Sequence, residues 1–264
     1  MTDKRKGSSE TIRAICTEDI SNINTLSKNR YNDNNDPQLF KDWLAGLIDA
    51  NGSLLVSKNR YTSCEITVSE KQLILLTLVK RNVGGTIQKR SGSSAFRWRL
   101  HNRPGMLNLL FTINSRLLLP RRCDQFKTVC KQFNFLCLER NHFSSDNAWL
   151  AGFFEFEGYF RVNKTNLQLG ITLTQKEKGL LQDIANEMGG RIYYDKSWDG
   201  WLYSASSKND IAKWIKYFSR FPLISWKQIQ LFRFKKILLY KSRGVHLSKD
   251  SKSWLRFKRL VSHF

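Results

Sequence analysis

Two stretches of the chain hold apolar residues on every side, where a surface helix would keep one polar face. One runs Trp43-Leu44-Ala45-Gly46-Leu47-Ile48-Asp49-Ala50-Asn51-Gly52, the other Trp149-Leu150-Ala151-Gly152-Phe153-Phe154-Glu155-Phe156-Glu157-Gly158. Such a pattern predicts buried helices. The small residues Ala45, Gly46, Ala151 and Gly152 let another backbone come very close, so the two copies are natural partners for each other. Paired helices would carry Asn51 and Glu157 side by side at their ends. Gly52 and Gly158 would then release each chain into a strand.

The same order of elements follows each copy. Residues 53–58 and 63–68 alternate like a hairpin that turns at Lys58-Asn59-Arg60. Residues 72–82 set Leu73, Leu76 and Val79 at helical spacing and stop at Gly84-Gly85. A second hairpin is predicted over 86–90 and 95–101, then closing helices over 106–118 and 121–135, separated at Pro120. Trp149 lies 106 residues after Trp43, Gly189 lies 105 after Gly84, and Ile171-Thr172 lies 105 after Ile66-Thr67. A period that holds across helices, strands and glycine pairs marks a duplicated unit. The expected fold is α+β, with two pseudo-symmetric αββαββα repeats over 38–137 and 148–264. A linker at 138–147 joins them, and Ser144-Ser145-Asp146 offers a helix start. Residues 1–37 read as a loose polar tail or a leader read through from an upstream frame, and 247–261 as a basic C-terminal helix.

Charge narrows the partners. Among 264 residues, 44 Lys and Arg face 22 Asp and Glu, a formal charge of +22. A surplus of that size points to a polyanion, with nucleic acid first. The strands give the charge a direction. In residues 95–101, Phe96, Trp98 and Leu100 share one face while Arg97, Arg99 and His101 share the other. Thr86, Gln88 and Arg90 oppose Ile87. In the second repeat Arg161 and Asn163 share a face, as do Arg191 and Tyr193. A sheet apolar behind and cationic in front can lie in a DNA major groove. The five cysteines form no CxxC pair, and Cys123, Cys130 and Cys137, seven apart, read as one buried helical stripe. The four histidines are scattered without a zinc spacing. No apolar run is long enough to span a bilayer, and the N-terminus lacks a signal-peptide core, so no membrane partner is expected.

The doubled stretch resembles the signature of the LAGLIDADG homing endonuclease family in its two-repeat, single-chain form. Leu44 to Gly52 matches the nine-letter motif at every position but Asn51, where the family has an acid. Leu150 to Gly158 matches its looser form. The resemblance implies motif helices packed at the centre and antiparallel sheets forming a DNA-binding saddle. It implies a monomer that cuts a long asymmetric duplex with divalent metal, Mg²⁺ here. Metal would lie at Glu157 and Asn51, with Ala50 and Phe156 beside them. Gln175 matches a water-positioning glutamine and Lys227 the basic residue of the pocket. The repeat-one counterparts by sequence spacing are Glu70 and Arg122. The DNA-facing set is Leu55, Ser57, Asn59, Thr67, Gln88, Arg90, Arg97, Arg99, Arg161, Asn163, Arg191 and Tyr193. Asp49 and Glu155, one acid earlier, are expected to orient or cap a helix end. With Asn51 neutral, cleavage is expected to be weakened or strand-biased. The alternative is a non-cleaving binding protein such as a group I intron maturase that acts on intron RNA, or a component of an organellar ribonucleoprotein. Either is expected to be made within a mitochondrion or chloroplast.

Overall fold

A computed structural model describes Tyr31 and residues 37–247 and 251–264. The tail expected over 1–37 lies outside these apart from Tyr31 and Pro37. In chain order the elements are α1 (Pro37–Asn51), β1 (Gly52–Val56), β2 (Thr62–Ser69), α2 (Leu73–Val83), β3 (Thr86–Lys89), β4 (Ala95–Leu100), α3 (Arg103–Ile113) and α4 (Pro120–Phe133). The second repeat follows with α5 (Trp149–Glu157), β5 (Gly158–Val162), β6 (Leu169–Gln175), α6 (Lys178–Met188), β7 (Arg191–Asp195), β8 (Gly200–Ala205), α7 (Lys208–Arg220), α8 (Trp226–Ser242) and α9 (Lys252–Ser262). Each repeat forms a four-stranded antiparallel sheet, ordered β1-β2-β4-β3 and β5-β6-β8-β7. The α+β reading with duplicated repeats is therefore the observed architecture. No helix among the described residues is long and apolar enough to cross a membrane.

The described residues fall into two compact units. One runs up to Glu157 and takes in Leu223–Trp226, so it holds both motif helices. The other comprises Gly158–Pro222 and Lys227–Phe264. In the first, Trp43, Leu44, Leu47 and Ile48 of α1 are buried together with Ile66, Leu75, Trp98 and Leu100. In the second, Phe160 packs against Phe218 and Phe234, with Tyr203 and Trp214 fully buried beside them.

The glycine pairs show why the repeat keeps them. Gly85 has φ +85°, and a Cβ there would lie 2.7 Å from the indole nitrogen of Trp98. Gly190 has φ +93°, and its Cβ would lie 2.7 Å from the ring of Tyr203. Each glycine supplies a left-handed turn and makes room for the large core residue of the same sheet.

Several boundaries differ from the expected ones, each for a local reason. Helix α3 starts at Arg103 because Asn102 caps it, its side chain accepting from Gly105 N at 2.7 Å, with Pro104 in the first turn. It stops at Ile113 because Asn114 is extended and Ser115 has φ +66°. Pro120 opens α4 and does not merely separate it from its neighbour. Asn134 in the left-handed region ends α4, so Cys137 lies beyond the helix and the seven-residue cysteine stripe does not form. Helix α5 starts at Trp149, whose N–H donates to Asn147 Oδ1 at 3.0 Å, so the 144–146 segment is not its cap. The C-terminal helix begins at Lys252 behind Ser251, which caps Trp254 N at 3.1 Å.

Candidate nucleic-acid interface and metal-binding helix ends

The motif helices meet backbone to backbone. A Cβ on Gly46 would lie 1.9 Å from the carbonyl oxygen of Trp149, and one on Gly152 would lie 2.0 Å from that of Trp43. No residue but glycine fits at either place, and the two contacts are reciprocal. The seam is asymmetric in its polar chemistry. Trp149 Nε1 donates to Asp49 Oδ2 at 2.9 Å, whereas the buried Trp43 Nε1 has no hydrogen-bond partner among the described residues.

The earlier acid of each motif caps a later helix. Asp49 accepts from the backbone N–H of Leu118 at 2.7 Å and of Leu119 at 3.3 Å, at the entry to α4. Glu155 accepts from Ile224 N at 2.6 Å and Ser225 N at 3.3 Å, at the entry to α8. Both carboxylates are buried, and each ties its motif helix to the start of the helix that carries a candidate basic residue, Arg122 on α4 and Lys227 on α8. Burial pushes Asp49 up to about 7, against the pull of its Leu118 and Trp149 hydrogen bonds and of the Arg122 charge.

The last residue of each motif closes its helix. Asn51 is exposed, and its Nδ2 donates to the carbonyl of Thr67 on β2 at 2.6 Å. The amide nitrogen is thereby committed, leaving Oδ1 as the group that could meet a cation. Glu157 is half-buried, as are Ala50 and Phe156 before each end. Arg122 is bonded to the first of these ends and lies in the electrostatic field of the second. Its Nε donates to the Ile48 carbonyl at 3.2 Å and its Nη1 to Gln125 Oε1 at 3.2 Å. Burial and the neighbouring Arg121 hold its pKa down, while the carboxylates of Asp49 and Glu157 act the other way. Lys227 is 95% removed from solvent, its relative exposure being 5%, and its Nζ donates to the carbonyl of Gly158.

The sheet registers place the DNA-facing candidates. On the first sheet, Glu65 stands opposite Arg99, and Arg99 opposite Thr86. Thr67 stands opposite Arg97, and Arg97 opposite Gln88, while Leu55 pairs with Ser63 on the same face. Arg97 and Arg99 share that face, with Trp98 buried behind them. Arg90 follows β3 and is exposed. Ser57 and Asn59 lie in the turn after β1, where Ser57 Oγ accepts from Tyr61 N at 3.0 Å. On the second sheet, Arg191 stands in a row with Ser204 and Thr172, Tyr193 with Leu202 and Thr174, and Arg161 opposite Gly170. Asn163 Oδ1 accepts from Thr165 N and Asn166 N, so this side chain holds its own turn.

One sequence equivalence does not survive the register. Gly52 pairs with Ile66, but Gly158 pairs with Leu173. Gln175, the last residue of β6, therefore occupies the ladder position of Val68 and not that of Glu70. Glu70 sits past the end of β2, exposed, in a short 3₁₀ turn. From that turn the Gln72 amide donates to the Glu155 carbonyl at 2.9 Å.

The family model for the LAGLIDADG endonuclease matches residues 150–238. An intron-encoded DNA endonuclease, ai2b of Dictyostelium discoideum, is 31% identical over 204 residues, covering 72% of this chain and 77% of that protein. The chain belongs to the LAGLIDADG endonuclease family. A probable intron-encoded endonuclease, aI2 of Debaryomyces hansenii, is 32% identical over 87% of this chain, and the intron-encoded RNA maturase bI4 of Saccharomyces cerevisiae is 33% identical over 88%. This chain spans 38% of the length of each of those two relatives. The LAGLIDADG meganuclease I-SmaMI on uncleaveable DNA has the same fold, with a TM-score of 0.69 at 20% identity over 86% of this chain and 99% of that one. I-SmaMI has also been solved on an uncleaved DNA target in the presence of calcium ions.

Within this LAGLIDADG chain, some residues that brace the candidate site left only a faint trace in the sequence. Gln125, which braces Arg122 and also accepts from Leu54 N at 3.3 Å, has its counterpart in Gln230, three residues after Lys227. That repeated spacing was the available signal. Glu65 gave none, because one acid in an alternating strand reads as an ordinary solvent-facing residue.

Proposed function

We propose that this chain is a site-specific DNA endonuclease that recognises a long asymmetric duplex and hydrolyses phosphodiesters at the ends of its two motif helices, more effectively at Glu157 than at Asn51. The observation that carries this reading is Arg122, bonded to the last turn of α1 at Ile48 and within electrostatic reach of Glu157 at the end of α5. That guanidinium puts a fixed positive charge in the field of the Glu157 carboxylate, and phosphodiester hydrolysis needs such charge beside the groups that hold a metal and its water.

The donor set fits one hard cation, bound weakly. Glu157 and Asn51 Oδ1 would hold it, with one negative charge where two acids would give two, and no cluster of three acid, thiol or imidazole ligands stands among the described residues. A bound divalent ion, Mg²⁺ in this reading, supplies Lewis acidity and a water of lowered pKa. The chain's own residues do the rest. Arg122 offers positive charge to the developing phosphorane, and within the other unit the charge-supplying and water-orienting roles fall to Lys227 and Gln175. Each sheet face reads its own half-site, with unequal side chains suited to an asymmetric target. Two half-sites in one chain make a monomer sufficient. Synthesis in a mitochondrion or chloroplast accords with the intron-encoded relatives.

A second reading is favoured by Asn51 itself. A neutral amide tied to Thr67 O suits a protein that binds without cutting, such as an intron maturase. The test is plasmid cleavage at the intronless host junction with Mg²⁺, alongside in vitro splicing of the intron that holds the reading frame. Nicking of one strand, converted toward double-strand cutting by Asn51→Asp, is the expected result. Splicing assistance with no cleavage by either form would sink the endonuclease reading.

A further inference from the structure

We propose that Glu65 is a specificity-determining residue, which fixes the directions of Arg97 and Arg99 so that each meets a single base edge. The proposal rests on the reading of the first sheet's polar face as a DNA-contacting surface.

Glu65 Oε1 accepts from Arg99 Nε at 3.0 Å, directly across the ladder, and Oε2 accepts from Arg97 Nη1 at 3.3 Å, one step along β4. One carboxylate therefore holds two guanidiniums. Its side chain is only 16% exposed, while those of Arg97 and Arg99 are 40% and 53% exposed. The acid lies low against the sheet, and the cations stand out from it.

Ion pairs whose cations stand open to solvent add little to stability, so the arrangement is better explained by geometry. Guanine is read by two parallel N–H bonds from one guanidinium to O6 and N7. Glu65 takes the Nε of Arg99 and leaves its two terminal nitrogens for an end-on fork. It takes one terminal nitrogen of Arg97 and leaves the Nε–Nη2 edge for a side-on fork. Two arginines in one row without an acid would repel each other and turn to the nearest phosphates, which carry no sequence information. With Glu65 between them, one of the two charges is cancelled and both forks are held.

The test uses the full chain with calcium in place of magnesium, so that binding is read without cutting, and a randomised duplex library. Glu65→Gln and Glu65→Asp are compared with Arg97→Ala, Arg99→Ala and, from the other sheet, Arg191→Ala. Glutamine keeps the shape without the charge, and aspartate is too short to reach both arginines. Both Glu65 variants are expected to flatten base preference about tenfold at the positions that Arg97→Ala and Arg99→Ala also flatten, and nowhere else. Glu65→Gln, which removes the charge, is also expected to bind random duplex more tightly, with a salt slope steeper by about 0.9, one added phosphate contact, whereas Glu65→Asp keeps the charge and is expected to leave the slope unchanged. If the arginine variants flatten the preference and the Glu65 variants do not, the proposal is overturned while the sheet-face reading stands. If Arg97→Ala, Arg99→Ala and Arg191→Ala all leave the preference intact, the face does not read DNA and the proposal falls with it.

Discussion

Alanine at Gly46 or Gly152 tests whether the motif seam is as tight as its geometry implies. In a free helix, Gly→Ala stabilises by about 1 kcal/mol through backbone entropy. At the seam the new methyl would lie 1.9 Å from Trp149 O, or 2.0 Å from Trp43 O. Comfortable carbon contacts sit near 3.5 Å, so α1 and α5 must part by about 1.5 Å, and a gap of even 0.5–1 Å forfeits roughly a quarter to a half of each dispersion contact across it. Both partners in the clash are helix backbone, which has no rotamer to escape into. The penalty therefore falls at the upper end of the overpacking range, about 3 kcal/mol, and exceeds the propensity gain for a net loss of about 2 kcal/mol per single variant. Because the contacts are reciprocal, the separation forced by one alanine also relieves the other. The double variant is then expected to be no less stable than either single, a coupling of about 2 kcal/mol in a double-mutant cycle. Urea midpoints followed by circular dichroism measure this, with Gly84→Ala as a control whose added Cβ meets nothing within 4 Å but whose φ of +87° carries the strain alone. Stabilised single variants, or a double variant that loses about 4 kcal/mol, would refute the reasoning.

Other outcomes follow from the helix ends. Asn51→Asp should strengthen divalent-metal binding and double-strand cutting, yet lower stability by about 1 kcal/mol because a carboxylate cannot donate to Thr67 O; plasmid cleavage and a melting curve read the two opposite effects. Glu157→Gln should abolish the remaining strand's cleavage while leaving DNA binding in calcium within about threefold, a loss near RT for a half-exposed group outside the sheet face. Asp49 gives a pH signature. Its folded pKa of about 7 lies above the unfolded value, so the folded chain binds the extra proton, and stability falls as pH rises from about 4 toward 7. Asp49→Asn should flatten that fall, so denaturation midpoints at pH 5 and pH 8 should differ less in the variant than in the parent chain.

The repeat was legible because helical and strand periods mark a sequence wherever one face is buried. The seam was legible because close backbone approach demands Gly46 and Gly152. Ladder register was not. The first hairpin loop of repeat one spans 57–61 and that of repeat two spans 163–168, one residue longer, so Ile66-Thr67 and Ile171-Thr172 look equivalent in sequence yet stand at different ladder rungs. Register depends on turn length and pairing, which a constant spacing between similar dipeptides does not encode. Contacts such as Glu65 with Arg97, 32 residues apart, were invisible for the same reason.

The unequal halves also look different once the contacts are known. Asn51 reads in sequence as a lost acid. In the fold it is a donor to Thr67 O, a bond that an ionised aspartate at the same place would turn into repulsion between two oxygens unless a cation lay between them. The first motif therefore closes onto its own sheet through this bond, whereas the second ends in Glu157, which shares the field of Arg122 with Asp49. On the proposed reading, an amide in place of an acid at this one position gives up cation affinity for a backbone hydrogen bond, on only one side of a seam whose two glycines meet the opposite helix in the same way.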